Sequence, residues 1–137
     1  MHSRYLLDTN ICIYIHRQKP EEVLLQFNKL KPGDAAISVI TWGELIHGAE
    51  KSRHRKQVLL LLEEFTALIP VLPLPENAGE KYGAIRAFLE SKGTPIGNND
   101  LWIAAHAKSE GMILVTNNER EFKRIPGLNV RNWVHGS

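Results

Sequence analysis

The chain has 137 residues, 43% hydrophobic and 23% charged, with a formal net charge of +2. That is enough for one domain with a sizeable core, and too balanced a charge to argue by itself for or against a nucleic-acid partner. Its single cysteine, Cys12, excludes an intrachain disulfide and fits a reducing compartment.

Tyr5 to Leu7 reads as a short strand that stops at Asp8, with Thr9 or Asn10 placed to cap the helix that follows. A carboxylate at the end of a buried strand is costly unless it is solvated or faced by positive charge. Cys12, among Ile11, Ile13 and Tyr14, reads as a small buried hydrophobe, the alternative being a reactive thiol. Pro20 opens a helical stretch, EEVLLQFNKL, with acids in its first turn. Lys31-Pro32-Gly33-Asp34 is a turn. AAISVI is a buried strand running to Thr41, after which WGELIHGAEKS turns helical.

A helix begins near Arg55 and runs to about Leu68, interrupted in its apolar pattern by Glu63 and Glu64. Ile69 to Leu74 carries two prolines and is at best an edge strand. Asn77 to Lys92 has helical spacing at Ala78, Tyr82, Ile85, Phe88 and Leu89. Gly93 to Gly97 is a loop, Asp100 to Ser109 a helix, MILVT a strand, NEREFKR a short helix and LNVRNW a last short strand. Strands alternating with helices imply parallel crossovers, hence one three-layer α/β/α domain over residues 1–137. The longest aliphatic run, Val58 to Leu62, is far too short to cross a bilayer. The first residues show no basic region followed by an apolar stretch, so a cytoplasmic protein is expected.

In open parallel sheets, sites form beyond the carboxyl ends of the strands. Asp8 follows the first strand, Glu44 stands one turn into the helix after the second, and Asn118 and Glu121 follow MILVT. Asp100 opens its helix from a glycine-flanked loop and can reach the same edge. Two like charges at about 4 Å repel by roughly 4 kcal/mol at an effective dielectric near 20. Helix dipoles relieve only ~0.3–1 kcal/mol each. A divalent cation resolves that conflict, and carboxylate and amide oxygens suit Mg²⁺ or Mn²⁺. The competing readings are local. Thr41-Trp42-Gly43-Glu44 and Thr116-Asn117-Asn118-Glu119 both fit a helix capping box, and Asp100 fits a first-turn helix acid.

Zinc is poorly served: the six histidines, from His2 to His135, form no HExxH or Cys/His pairing. His47 and His106 read as partly buried structural residues. No G-x-S-x-G, Walker A or G-x-G-x-x-G sequence occurs.

LLDTNICIYI, ITWGELIHGAEKS, GTPIGNNDLWIAAHA and ILVTNNEREFKRIPGLNVRNW, in that order, closely resemble the PIN-domain toxins of the VapC type. The blocks reach from residue 6 to 133, and the last two are the specific ones. The resemblance implies a Mg²⁺-dependent endoribonuclease of a toxin–antitoxin pair, a homodimer, held inactive by a cognate antitoxin. It implies a PIN-like parallel sheet of four or five strands in the order 3-2-1-4-5. The motif acids fall on Asp8, Glu44 and Asp100, with Asp8 and Asp100 as metal ligands and Glu44 either orienting water or ligating the ion through water. A fourth acid of the family falls on Asn118, a departure that leaves a second metal open and gives Glu121 a supporting role. Thr9, Asn10 and Thr116 match polar positions that orient the acids or water.

RNA needs cations to meet its phosphates. Lys51 to Lys56 is the dense basic run; such a run is more often a solvated interhelix turn than a binding patch, and as a patch it offers Arg53, Arg55 and Lys56 as phosphate contacts. Arg86, Lys92, Lys123 and Arg124 could add to a groove. Enteric relatives in this family cut initiator tRNA in its anticodon loop, which suggests tRNA as substrate. VLLLLEEFTALI, with Trp42, Leu45 and Ile46, offers either a groove for an antitoxin helix or ordinary core. Trp102 is open between core, dimer contact and base stacking. Two other functions stand against the nuclease: a catalytically silent RNA- or partner-binding module, and a phosphotransferase with Asp8 as nucleophile. The latter needs a companion acid where Asn10 stands.

Overall fold

A computed structural model describes residues 3–135. Five parallel strands, β1 (Tyr5–Leu7), β2 (Ala35–Ser38), β3 (Val71–Leu72), β4 (Ile113–Val115) and β5 (Val130–Arg131), form one sheet in the order β3-β2-β1-β4-β5. The helices are α1 (Thr9–Arg17), α2 (Glu21–Asn28), α3 (Val39–Glu50), α4 (Arg55–Leu68), α5 (Ala78–Ser91), α6 (Asn98–Glu110) and α7 (Glu119–Phe122), with a 3₁₀ turn at Trp133–His135. The α/β/α architecture and the strand order agree with expectation, and the proline-bearing segment is indeed an edge strand.

Side chains alternate across each strand, so each strand feeds two cores. Leu6, Ala36 and Leu114 stand in register and pack against Ile85, Leu89, Ile103 and Phe122 of α5, α6 and α7. Leu7 and Val115, paired to each other, face the opposite way with Ala35 and Ile37, toward Ile11, Ile15, Val23 and Trp133. Burying each of the larger side chains contributes about 1.5–3 kcal/mol, which fixes the register from both sides.

Several boundaries differ from the sequence reading: α6 opens at Asn98 and not at Asp100, β5 is only Val130–Arg131, and three differences at strand ends bear on the site. β2 stops at Ser38, whose hydroxyl accepts from the Ile40 amide at 3.1 Å and caps α3. Val39 and Ile40, apolar and β-branched, therefore open a helix instead of extending the strand. Thr41 consequently lies inside α3 and does not cap it. Likewise Asp8 itself caps α1, so Thr9 and Asn10 are helical residues. Asn118 caps α7 in backbone terms, displacing Thr116 from that role. Both capping-box readings fail, because the chain has already turned before Thr41 and turns only after Thr116.

Candidate active site

β1, β2 and β4 end side by side, and the chain leaves each of them into a helix or a turn. Asp8, at the end of the central strand, is buried. Its Oδ1 accepts from the Ile11 amide of α1 at 3.0 Å, and its Oδ2 accepts from the Thr116 hydroxyl at the end of β4. Thr116, also buried, accepts in turn from the Asn118 amide at 2.9 Å. Burial pushes the Asp8 carboxyl up to about 6. The hydrogen bonds from Thr116 and Ile11 act against that rise, and the nearby charges of Asp100 and Glu44 add to it.

Asp100 stands in the first turn of α6, half-buried. Burial raises its pKa first, then the charges of Glu44 and Glu121. Glu44, half-buried on α3, accepts from the Thr9 hydroxyl at 2.7 Å. Glu121 accepts from the Asn118 side-chain amide at 3.1 Å. Asp8, Glu44, Asp100 and Glu121 thus share one electrostatic neighbourhood, although they come from four different elements. Among the described residues the ion pairs are Arg55–Glu50, Arg86–Glu90 and Lys123–Glu119, and none reaches these four acids.

Clustered carboxylates without a protein cation, one of them buried, are the arrangement a hard divalent ion stabilises. The donors are all oxygen, which suits Mg²⁺ or Mn²⁺ and not Zn²⁺. No three His, Cys, Asp or Glu side chains among the described residues form a ready-made metal cage. Mg²⁺ does not require one, since it retains most of its water and takes one or two carboxylates. A second sign is Thr41 Oγ1, buried without a hydrogen-bond partner among the described residues, one helical turn before Glu44 on the same face of α3. An unsatisfied hydroxyl there invites water. The residues fit a hydrated ion.

The remaining candidates divide. Asn10 is exposed on the first turn of α1. Asn118, where the family pattern has an acid, spends its side chain on Glu121. The basic run is not brought to the acids: α3 carries the chain away from the sheet edge, and Lys51 lies ~10 Å of helix axis beyond Glu44. Arg53, Arg55 and Lys56 are exposed, and Arg55 is paired with Glu50. Arg86 donates to the Tyr82 hydroxyl at 2.9 Å, and Tyr82 donates to Asn98 at the start of α6. That leaves Arg86 beside the turn that carries Asp100. Trp102 stacks on Tyr82 at 4.0 Å between ring centres, a contact within this chain. His47 is exposed, contrary to its reading as partly buried, because it falls on the outer face of α3. His106 is buried with Nδ1 2.9 Å from Ser38, as a structural residue would be. His2 lies outside the described residues. Cys12 is buried, and burial followed by the Asp8 charge pushes its thiol well up, as expected of a small buried hydrophobe.

A cavity of about 440 Å³ opens between α1, α3 and α4, lined by Cys12, Ile13, Leu45, Leu61, Leu62 and Phe65. Thr9 and Glu44 form its end nearest the acids. Leu60 and Leu68 of α4 are more than half exposed. The sequence reading missed a polar belt: Asn117 donates to the Tyr14 hydroxyl at 3.1 Å, and Asn132 donates to Asn117 Oδ1 at 3.2 Å. Asn117 stood in view within TNN, but nothing in sequence marked Tyr14 or Asn132 as its partners.

Residues 5–128 match the model of the PIN domain family. Over 131 residues the chain is 44% identical to Ribonuclease VapC2 of Haemophilus influenzae, covering 96% of this chain and 98% of that one. It is 45% identical over 130 residues to the tRNA(fMet)-specific endonuclease VapC of Salmonella typhimurium, covering 95% and 98%. The crystal structure of DNA-bound VapBC from Salmonella typhimurium superposes with a TM-score of 0.88 at 45% identity, covering 96% of this chain and 98% of that one.

Proposed function

The chain belongs to the VapC branch of the PIN-domain family, and from that premise we propose a Mg²⁺-dependent endoribonuclease that cuts tRNA as the toxin of a toxin–antitoxin pair. The observation that carries the reading is the set of Asp8, Glu44, Asp100 and Glu121 at one sheet edge, with no ion pair to a lysine or arginine among the described residues. Initiator tRNA is the preferred substrate, because the Salmonella relative is named for tRNA(fMet). We place the cut in the anticodon loop.

Asp8 and Asp100 would hold the ion. Bound there, Mg²⁺ supplies Lewis acidity at a phosphate oxygen and a more acidic water. Asp8 is held in one direction by Ile11 and Thr116, so its carboxylate does not swing when RNA arrives. Glu44, oriented by Thr9, would take the proton of the attacking water. Glu121, held by Asn118, keeps negative charge near Asp100 and strengthens its hold on a cation. Water as nucleophile breaks the bond to the 3′ oxygen and leaves a 5′-phosphate and a 3′-hydroxyl. Arg86, beside the Asp100 turn, is a basic side chain that could meet a phosphate there.

The groove between α1, α3 and α4 suits the apolar face of an amphipathic antitoxin helix, which would then lie against Thr9 and Glu44 and shut the site. Homodimer formation and a cytoplasmic location belong to the same proposal. The test is cleavage of purified total tRNA with Mg²⁺, with chelator, and with Asp8→Asn. Cleavage by wild type alone, only with metal, is expected, with 5′-phosphate ends. Equal cutting by the variant, or indifference to chelator, overturns the reading. Tight RNA binding without any cutting favours a catalytically silent binding module, with Asn118 as its marker.

A further inference from the structure

Asp8 is gripped from two sides, by an amide of α1 and by a hydroxyl of the turn after β4. The same two elements are joined a second time, further out. Asn117, next to Thr116, donates to the hydroxyl of Tyr14 on α1 at 3.1 Å. Asn117 does not stand unsupported. Asn132, buried just past β5, donates to Asn117 Oδ1 at 3.2 Å and to Glu119 Oε1 at 3.4 Å, and accepts from the Val134 amide at 3.0 Å. One buried amide therefore holds both Asn117 and Glu119, which flank the capping residue Asn118, and through Asn117 ties the turn to α1.

We propose that Asn132 and Asn117 are positioning residues: a relay from the exit of β5 to Tyr14 that sets the gap between the two groups holding Asp8. The proposal rests on the nuclease reading, since it is the direction of the Asp8 carboxylate that the relay serves. In metal-free protein, repulsion from Asp100 and Glu44 acts on that carboxylate. A fixed gap between Ile11 and Thr116 resists the push. Asn117 is exposed, so it is the hydrogen bonds and not core packing that tie it to Tyr14 and Asn132. A misplacement of ~1 Å in a reacting group can cost about 100-fold in rate.

Three variants test this: Asn117→Ala, Asn132→Leu and the double variant. Each single change is expected to lower kcat on tRNA about 10-fold or more with KM within about 2-fold. The double variant should be no worse than the worse single, because both residues act through one relay. In metal-free protein, the Ile11 and Asn118 amides should exchange hydrogen several-fold faster in the variants. Wild-type kcat in the Asn117→Ala protein, multiplicative losses in the double variant, or unchanged exchange at both amides would overturn the proposal. If wild type cuts no RNA, the nuclease reading falls, and the exchange measurement still decides whether the relay holds the gap. Should Asn132→Leu not fold, Asn117→Ala at its exposed position carries both measurements alone.

Discussion

At the scale of single residues, burying Asp8 costs stability at the very carboxylate on which the proposed chemistry rests. Its carboxyl is pushed from 3.8 up to about 6, so the folded chain holds that proton more tightly than the unfolded chain does. The corresponding stability is fully present below about pH 4 and is lost as pH rises through 6. At pH 8 the charge costs roughly 3 kcal/mol, at 1.36 kcal/mol per unit. Metal-free Asp8→Asn should therefore melt several degrees above wild type at pH 8, with the gap closing near pH 4, while cleavage falls at least 1,000-fold. Calorimetry across that range checks the sign, and a variant less stable at pH 8 would contradict it. Thr116→Val removes a hydrogen bond that lowers the Asp8 pKa, so carboxyl NMR of metal-free protein should find Asp8 titrating higher still. Asp8 stood out in sequence because a carboxylate that ends an apolar strand has few explanations, and its shared neighbourhood with Glu44 and Asp100 followed from the sheet edge. Tyr14, Asn117 and Asn132 were not. Their contacts join positions 103 and 15 apart, and no periodicity marks a meeting of that kind.

At the scale of elements, apolar runs located nearly every strand and helix, but the caps were misassigned. Ser38, Thr41, Asp8, Thr9 and Asn10 can all cap a helix. Which one does so depends on where the backbone leaves the extended region, and Ser38 and Asp8 are the extended ones. The misassignment matters, because it moves Thr41 from a capping role to a buried hydroxyl beside Glu44. β4 shows how little strand is needed when both faces are covered: Ile113 to Val115 pair on one side with β1 and on the other with β5. Leu114→Ala should cost about 2–5 kcal/mol, since Leu114 is fully buried between β1 and β5 under α6 and α7. Gly111, which ends α6 at φ 64°, should lose about 1–2 kcal/mol on change to Ala, because a Cβ there is strained although no neighbour crowds it. Urea titration measures both.

At the scale of the whole molecule, the proposed catalysis and the proposed antitoxin docking share one cavity, whose lining holds both Glu44 and, on α4, Leu61 and Leu62. Leu61→Asp should leave tRNA cleavage within about 2-fold and weaken antitoxin binding at least 100-fold, read by calorimetric titration with the cognate antitoxin. Chelation should silence the wild type and lower its melting temperature, with no such shift in Asp8→Asn. The overall architecture was legible because strands and helices alternate, and alternation leaves few topologies. Parallel order also dictates when the parts meet during synthesis. β1 sits in the middle of the sheet but is made first, and one of its two neighbours, β4, is made near the end. A nascent or truncated chain that stops before Thr116 carries Asp8, Glu44 and Asp100 and still lacks the hydroxyl that fixes the first of them. On the proposed reading, such a chain would not cut RNA until about its last sixth had been made, and half-finished copies would do the cell no harm.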